Sequence, residues 1–206
     1  MKRIVKSAAP ACLSNARQKG WNWGEFVNKD HEGYLQCREL ASSDQKNMCG
    51  YTEMPLGGKG LQLHLDHYKK KSIYPALTFE WENLVFAVKD NRFGADFKDK
   101  VVDGKNAATV YASILNPVLD EAQDCFYYDT GGRVYPIKSM TEGQRNKAQE
   151  TIRVFNLNET ELVSRRRTMI SQLSAFTDVS EADIRSLFSE YGFATVLEQE
   201  MRLRDR

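Results

Sequence analysis

The stretch "LHLDHYKKKSIYPALTFEWENLVFAVKDN", residues 63–91, decides how the rest of the chain is read. It continues an alternation in which Leu61, Leu63 and Leu65 take one side and Gln62, His64 and Asp66 the other, the period of two of a half-buried strand. The spacing predicts a strand over 60–66 with the leucines inward and His67 at its end. After a polar turn carrying Lys69, Lys70 and Lys71, "LTFEWENLVFAV" starts extended around its aromatics. It ends in a compact apolar run, Leu84 to Val88, suited to a short buried helix. "KDNRFGADFKDK" breaks that run with polar residues and Gly94.

Working outward, residues 33–48 place Leu35 and Leu40 near helical spacing and predict a short helix. Residues 49–60 read as a loop or hairpin entering the strand. "GWNWGEF" predicts that Trp21 and Trp23 pack an N-terminal arm onto the body. Asp30-His31 is a second Asp-His pair, read as loop because no strand precedes it. "LGGKGL" lacks the Ser or Thr and the strand-to-helix context of a phosphate loop, and is read as a turn. Farther on, "CFYYDTGGRVYPI" predicts a hairpin turning at Thr130-Gly131-Gly132. The C-terminal third is helical, with Ala148, Ile152 and Phe155 inward, an Asn158 cap before a helix burying Leu162, Met169 and Leu173, and a Ser180 cap before the last segment. The expected class is α+β: residues 1–140 as one domain with its N-terminal arm, and 141–206 as a helical region packed on it or on a partner.

Composition narrows the function. Of 206 residues, 41% are hydrophobic and 28% charged, an ordinary folded chain, and a formal net charge of +1 excludes a general polycation that coats nucleic acid. Basic patches remain local: Lys69 to Lys71, Arg165 to Arg167, and Arg202, Arg204 and Arg206. Cys12, Cys37, Cys49 and Cys125 are scattered without a CxxC, against a disulfide framework or a zinc knuckle, and a reducing cytoplasm fits them. The basic start lacks an apolar stretch of about 7 to 15 residues, and no run approaches the roughly 18 residues of a membrane span.

The chemistry concentrates at 64–91. Phosphodiester hydrolysis needs water activated by a base and negative charge neutralised by a cation. His67 is the candidate base, Asn83 a fixed amide to orient it, and Asp66 and Asn91 hard oxygen ligands of the kind Mg²⁺ accepts. A hairpin followed by a short helix would bring them together. His64 shares the Asp66 face and is a further candidate contact. The three lysines are candidates for phosphates flanking the scissile bond, a role that positions without reading sequence.

In these residues the chain resembles the HNH, or ββα-metal, nucleases, whose core reads Asp-His, then Asn-Leu, then a third metal-binding residue. It resembles more closely the PtuB-like HNH proteins of Septu and retron antiphage defence. The resemblance rests on "MKRIVKSAAPACL", "SDQKNMCGYTE", "LHLDHYKKKSIYPALTFEWENLVFAV", "ILNP" and "ETIRVFNLNETELVSRRR" and spans about residues 1–173. It implies metal binding by Asp66 and Asn91, general-base action by His67, and orientation of His67 by Asn83. It also implies a PtuA-like ATPase as partner, and a larger assembly with a retron's reverse transcriptase and noncoding nucleic acid. Relatives often build a structural zinc site from two CxxC pairs. Here Thr52 replaces the partner of Cys49 and "FAVKDN" has no cysteine, so structural zinc is not expected; Lys70 stands where proline is frequent.

The expected activity is hydrolysis of DNA or RNA by a metal-dependent endonuclease, a toxic effector of antiphage defence. Two rivals remain: a non-catalytic nucleic-acid-binding or assembly subunit, and an RNase acting on structured RNA such as tRNA. The site itself does not depend on a 2′-hydroxyl and so does not separate the sugars.

Overall fold

The computed structural model describes residues 1–204, so Arg206 of the expected terminal basic cluster lies outside the described residues. Three helices come first, α1 (Ala11–Gln18), α2 (Trp23–Lys29) and α3 (His31–Asp44). Asn22 and Glu25 start α2 as a reciprocal cap, the Asn22 side chain accepting from the Glu25 amide at 3.0 Å and Glu25 accepting from the Asn22 amide at 2.9 Å. Asp30-His31 is not loop. Asp30 caps α3 by accepting from the Gly33 amide at 3.0 Å, and His31 is the helix's first residue.

The 63–91 stretch folds as two strands. β1 (Leu63–His67) pairs antiparallel with β2 (Leu84–Val88), which sets Asp66 opposite Val85 and His67 opposite Leu84. The run Leu84 to Val88 is therefore a strand and not the expected helix. All five of its residues are buried, with α3 and α4 (Gly94–Val101) packed against it. Burial on both faces removes the alternation that would have marked a strand, and a continuous apolar run does not distinguish the two structures. β1 departs from its expected pattern too: Leu63 and His64 are half-buried, while Asp66 and His67 are only 6% and 5% exposed. The polar end of this strand points into the protein. With α4 following β2, the local order is strand, strand, helix.

α5 (Ala107–Ser113) leads to the expected hairpin, β3 (Phe126–Tyr128) antiparallel to β4 (Val134–Pro136). α6 (Glu142–Val154) and α7 (Thr160–Ser174) bury the predicted Ala148, Ile152, Leu162, Met169 and Leu173, and Phe155 is buried just past the end of α6. Asn158 is not the cap of α7. Glu159 takes that place, while Asn158 ties down β4 by accepting from the Val134 amide at 2.8 Å and donating to its carbonyl at 2.9 Å. Ser180 does cap α8 (Glu181–Leu187), and α9 (Ala194–Arg204) closes the described chain. The basic triplet of α7 is divided. Arg165 pairs with Glu161, and Arg166 is buried, donating to the Gly132 and Leu157 carbonyls. One hydrophobic core runs from Met1 to Met201, and the molecule is α+β with two small antiparallel sheets. No helix among the described residues is long and apolar enough to cross a membrane.

Candidate active site

His67 ends β1 at the floor of an open cleft of about 690 Å³. Its Nε2 lies 3.0 Å from the Thr78 carbonyl, on the loop between the strands. A carbonyl only accepts, so Nε2 carries the hydrogen and Nδ1 keeps the lone pair of a base. Trp23 stands edge-on to the imidazole with 4.5 Å between ring centroids. Burial, and then the nearby Lys71 ammonium, push the imidazole down from 6.5 to about 4, so it is neutral at pH 7.

Asn83 fixes the loop and not the ring. Its side chain accepts from the Lys69 amide at 2.8 Å and donates to the Lys69 and Leu77 carbonyls at 3.0 and 3.1 Å. Leu77 immediately precedes Thr78. The orientation of His67 expected of Asn83 is thus exerted at one remove, through the carbonyl that Asn83 helps to place.

Asp66 is held from behind. Its Oδ2 accepts from the Tyr51 hydroxyl at 2.6 Å and from the Lys98 ammonium at 2.7 Å. Lys98, on α4, is fully buried. Its ammonium also donates to the His67 and Tyr68 carbonyls at 2.9 and 3.0 Å, knitting the end of β1 to the helix. Asp99 Oδ1 stands 3.2 Å from the same ammonium without hydrogen-bond alignment and is otherwise unpartnered. Burial raises the Asp99 carboxyl above its ordinary value; Lys98 opposes that shift and Asp66 adds to it.

The cleft does not contain Asn91. That residue is exposed in the turn before α4, and its carbonyl accepts from Lys100 at 2.7 Å. The expected Asp66 and Asn91 pair does not line one cleft, because the run before it is a strand and carries Asn91 past the site. The acidic residues that do line the cleft with Asp66 are Asp96 and Asp99, one turn apart on α4. His64 joins them, its Nε2 buried without a hydrogen bond and 3.8 Å from Asp96 Oδ1.

The three lysines separate. Lys71 is exposed and lines the cleft. Lys70 spends its ammonium on the Asp99 and Val102 carbonyls at 2.8 and 3.0 Å, and Lys69 lies over the Tyr74 ring at 5.4 Å.

Carboxylate oxygens suit a hard cation. Among the described residues no three His, Cys, Asp or Glu side chains form a ready cation cage. A magnesium ion accepts a thinner set, one or two carboxylates with water and phosphate oxygens completing its shell. Asp66 Oδ1, which makes no hydrogen bond among the described residues, and Asp99 Oδ1, held only by its ion pair with Lys98 at 3.2 Å, offer such oxygens where Asn91 does not.

Sequence reasoning missed Lys98, Tyr51, Thr78, Asp96 and Asp99. The spacing of Asp96 and Asp99 on one helix face was readable in "GADFKDK". Nothing in the local sequence sets Lys98 apart from Lys89 and Lys100, and only the fold buries it. Compared with known proteins, the chain matches no protein-family model and no curated protein.

Proposed function

We propose that the protein is a metal-dependent nuclease of the ββα-metal kind, hydrolysing phosphodiester bonds with water activated by His67. The observation that carries this reading is the arrangement at the end of β1: a neutral imidazole with a fixed tautomer, its basic Nδ1 uncommitted, beside a carboxylate in an open cleft. Asp66, with Asp99 in place of Asn91, would hold the ion, whose chemistry is to neutralise the phosphate and the departing oxygen. His67 Nδ1 takes a proton from water, and the Thr78 carbonyl keeps the opposite nitrogen protonated. An anionic substrate offsets the Lys71 ammonium, the second of the two causes that lower the His67 pKa, while burial, the first, stays. The resemblance of 63–91 and its flanks to PtuB-like proteins supports a role as the toxic effector of antiphage defence, with a PtuA-like ATPase and a retron reverse transcriptase with its noncoding nucleic acid as partners.

Lys98 supports a second reading, a non-catalytic subunit: an ammonium already lies between the two carboxylates that an ion would share. Wild-type and His67→Ala proteins, incubated with Mg²⁺ and single- or double-stranded DNA and RNA, separate the two. The nuclease reading expects cleavage by wild type and a loss of at least about a hundredfold in the variant. Equal products from both proteins sink it, and ends confined to RNA establish the RNase.

A further inference from the structure

Trp21 stands in the turn between α1 and α2 and lines the same cleft as His67. It is half-buried and packs against the hydrophobic core, as its sequence predicts, while also lining the cleft. Trp23, two residues on, does carry the structural load, packing on Phe26, Phe79 and the His67 ring. Trp21 contributes no comparable ring contact among the described residues. Its ring is met instead by two ammonium groups, Lys19 at 4.4 Å and Lys29 at 5.6 Å from the centroid. Lys29 is paired with Glu25, whereas Lys19 is exposed and has no acidic partner within salt-bridge distance among the described residues.

The cleft carries both signs of charge. Lys70 and Lys71 line it together with Asp66, Asp96 and Asp99, and Lys19 stands over the Trp21 ring at its edge. Of these ammonium groups, Lys70 is spent on backbone carbonyls, which leaves Lys19 and Lys71 to meet a phosphate. A large aromatic face beside uncommitted cations is the combination that holds single-stranded nucleic acid, in which bases are free to stack while phosphates meet ammonium groups. A paired base has no exposed face to offer Trp21.

We infer that Trp21, with Lys19 and Lys71, forms a stacking platform for one unpaired nucleotide beside the His67 centre, making the preferred substrate single-stranded or locally unpaired nucleic acid. The inference rests on the nuclease reading for its purpose and on its own geometry for the binding. On binding, Lys19 moves from the ring to a phosphate and the base takes its place over the indole.

The test measures binding in EDTA, where cleavage is suppressed, using oligo-dT and oligo-rU strands of about 20 nucleotides and a duplex of equal length. Tryptophan fluorescence and anisotropy are read for wild type, Trp21→Ala, Trp21→Phe and Lys19→Ala. The expected results are quenching by the single strands, weaker duplex binding, and affinity reduced about tenfold or more by Trp21→Ala. Trp21→Phe retains most of the affinity, which separates lost stacking from lost folding, and Lys19→Ala weakens binding and flattens its salt dependence. Equal affinity of Trp21→Ala and wild type for single strands, a preference for duplex, or no binding by wild type overturns the platform. The oligo-dT and oligo-rU arms report the sugar. Cleavage lost in His67→Ala alongside Trp21-independent binding removes the platform and keeps the nuclease; Trp21-dependent binding without cleavage does the reverse.

Discussion

Lys98 and Lys6 are both removed from water, and their surroundings give them opposite effects on stability. The Lys98 ammonium satisfies Asp66 Oδ2 and two backbone carbonyls at the end of β1. Removing one partner of a buried pair strands the other, so Lys98→Met is expected to cost about 3 to 5 kcal/mol by urea denaturation. Among the described residues Lys6 has no hydrogen-bond partner for its buried ammonium, which lies 3.6 Å from the Trp81 ring centroid, and desolvation lowers its pKa from 10.5 to about 8. Between those two values the unfolded chain binds the proton and the folded chain does not, so this group makes stability rise with pH from about 8 to 10.5. Below pH 8 the cost of burying the charge is present in full. At roughly 1.4 kcal/mol per unit it comes to about 3.5 kcal/mol, offset in part by about 0.5 to 2 kcal/mol of cation–π attraction. Lys6→Met is therefore expected to stabilise the protein by about 1.5 to 3 kcal/mol at pH 7. That margin shrinks toward pH 10.5 in denaturation curves of the two proteins measured in parallel.

The loop joining β1 to β2 matters as much as the strands, because it supplies the carbonyl that orders His67. Asn83 holds it at both ends through Lys69 and Leu77. Asn83→Ala leaves the Lys69 amide without its acceptor, and a loss of about 2 to 3 kcal/mol is expected. Amide exchange distinguishes the mechanism: protection should fall at Lys69 and across the loop while β2 stays protected, and uniform loss would make Asn83 an ordinary core residue. This loop also shows how far the sequence carries. The Asp-His pair, the Asn and their order along the chain were readable because residue type and spacing survive in one dimension. Asn83 acting through Leu77 and Thr78 was not, since a side chain bonding to backbone leaves no mark on the partner's identity. The capping residues Asn22 and Ser180 work within a few positions, and Ser180 was legible for that reason. Asn158 was misassigned because its true partner, Val134, lies on a distant strand. β2 was misread for a related reason: tertiary cover on both faces erased its period.

At the scale of the whole molecule, the last two helices belong to the core that carries the cleft. Glu53, in the loop before β1, is nearly fully buried and accepts from the Thr195 amide and hydroxyl at 2.8 and 2.6 Å. The Glu53 carbonyl accepts from Phe193 at 2.7 Å. Gln199 brackets Tyr128 of β3, accepting from its amide and donating to its carbonyl, both at 2.8 Å. Phe188, Phe193, Val196 and Met201 are buried behind these bonds. Each buried side chain of that size contributes about 1.5 to 3 kcal/mol, and their loss also uncovers the residues they face. Glu53 would keep its ion pair with the Met1 ammonium at 2.6 Å but lose its hydroxyl and amide donors. Deleting residues 180–206 is therefore expected to lower the melting temperature by at least about 10 °C and to reduce cleavage by exposing the loop ahead of β1. An unchanged melting temperature would instead make the segment an appendage, available to a partner at no cost to the fold. The bonds through Glu53 and Gln199 argue against that outcome, because they tie α9 and the turn before it to the loop ahead of β1 and to β3.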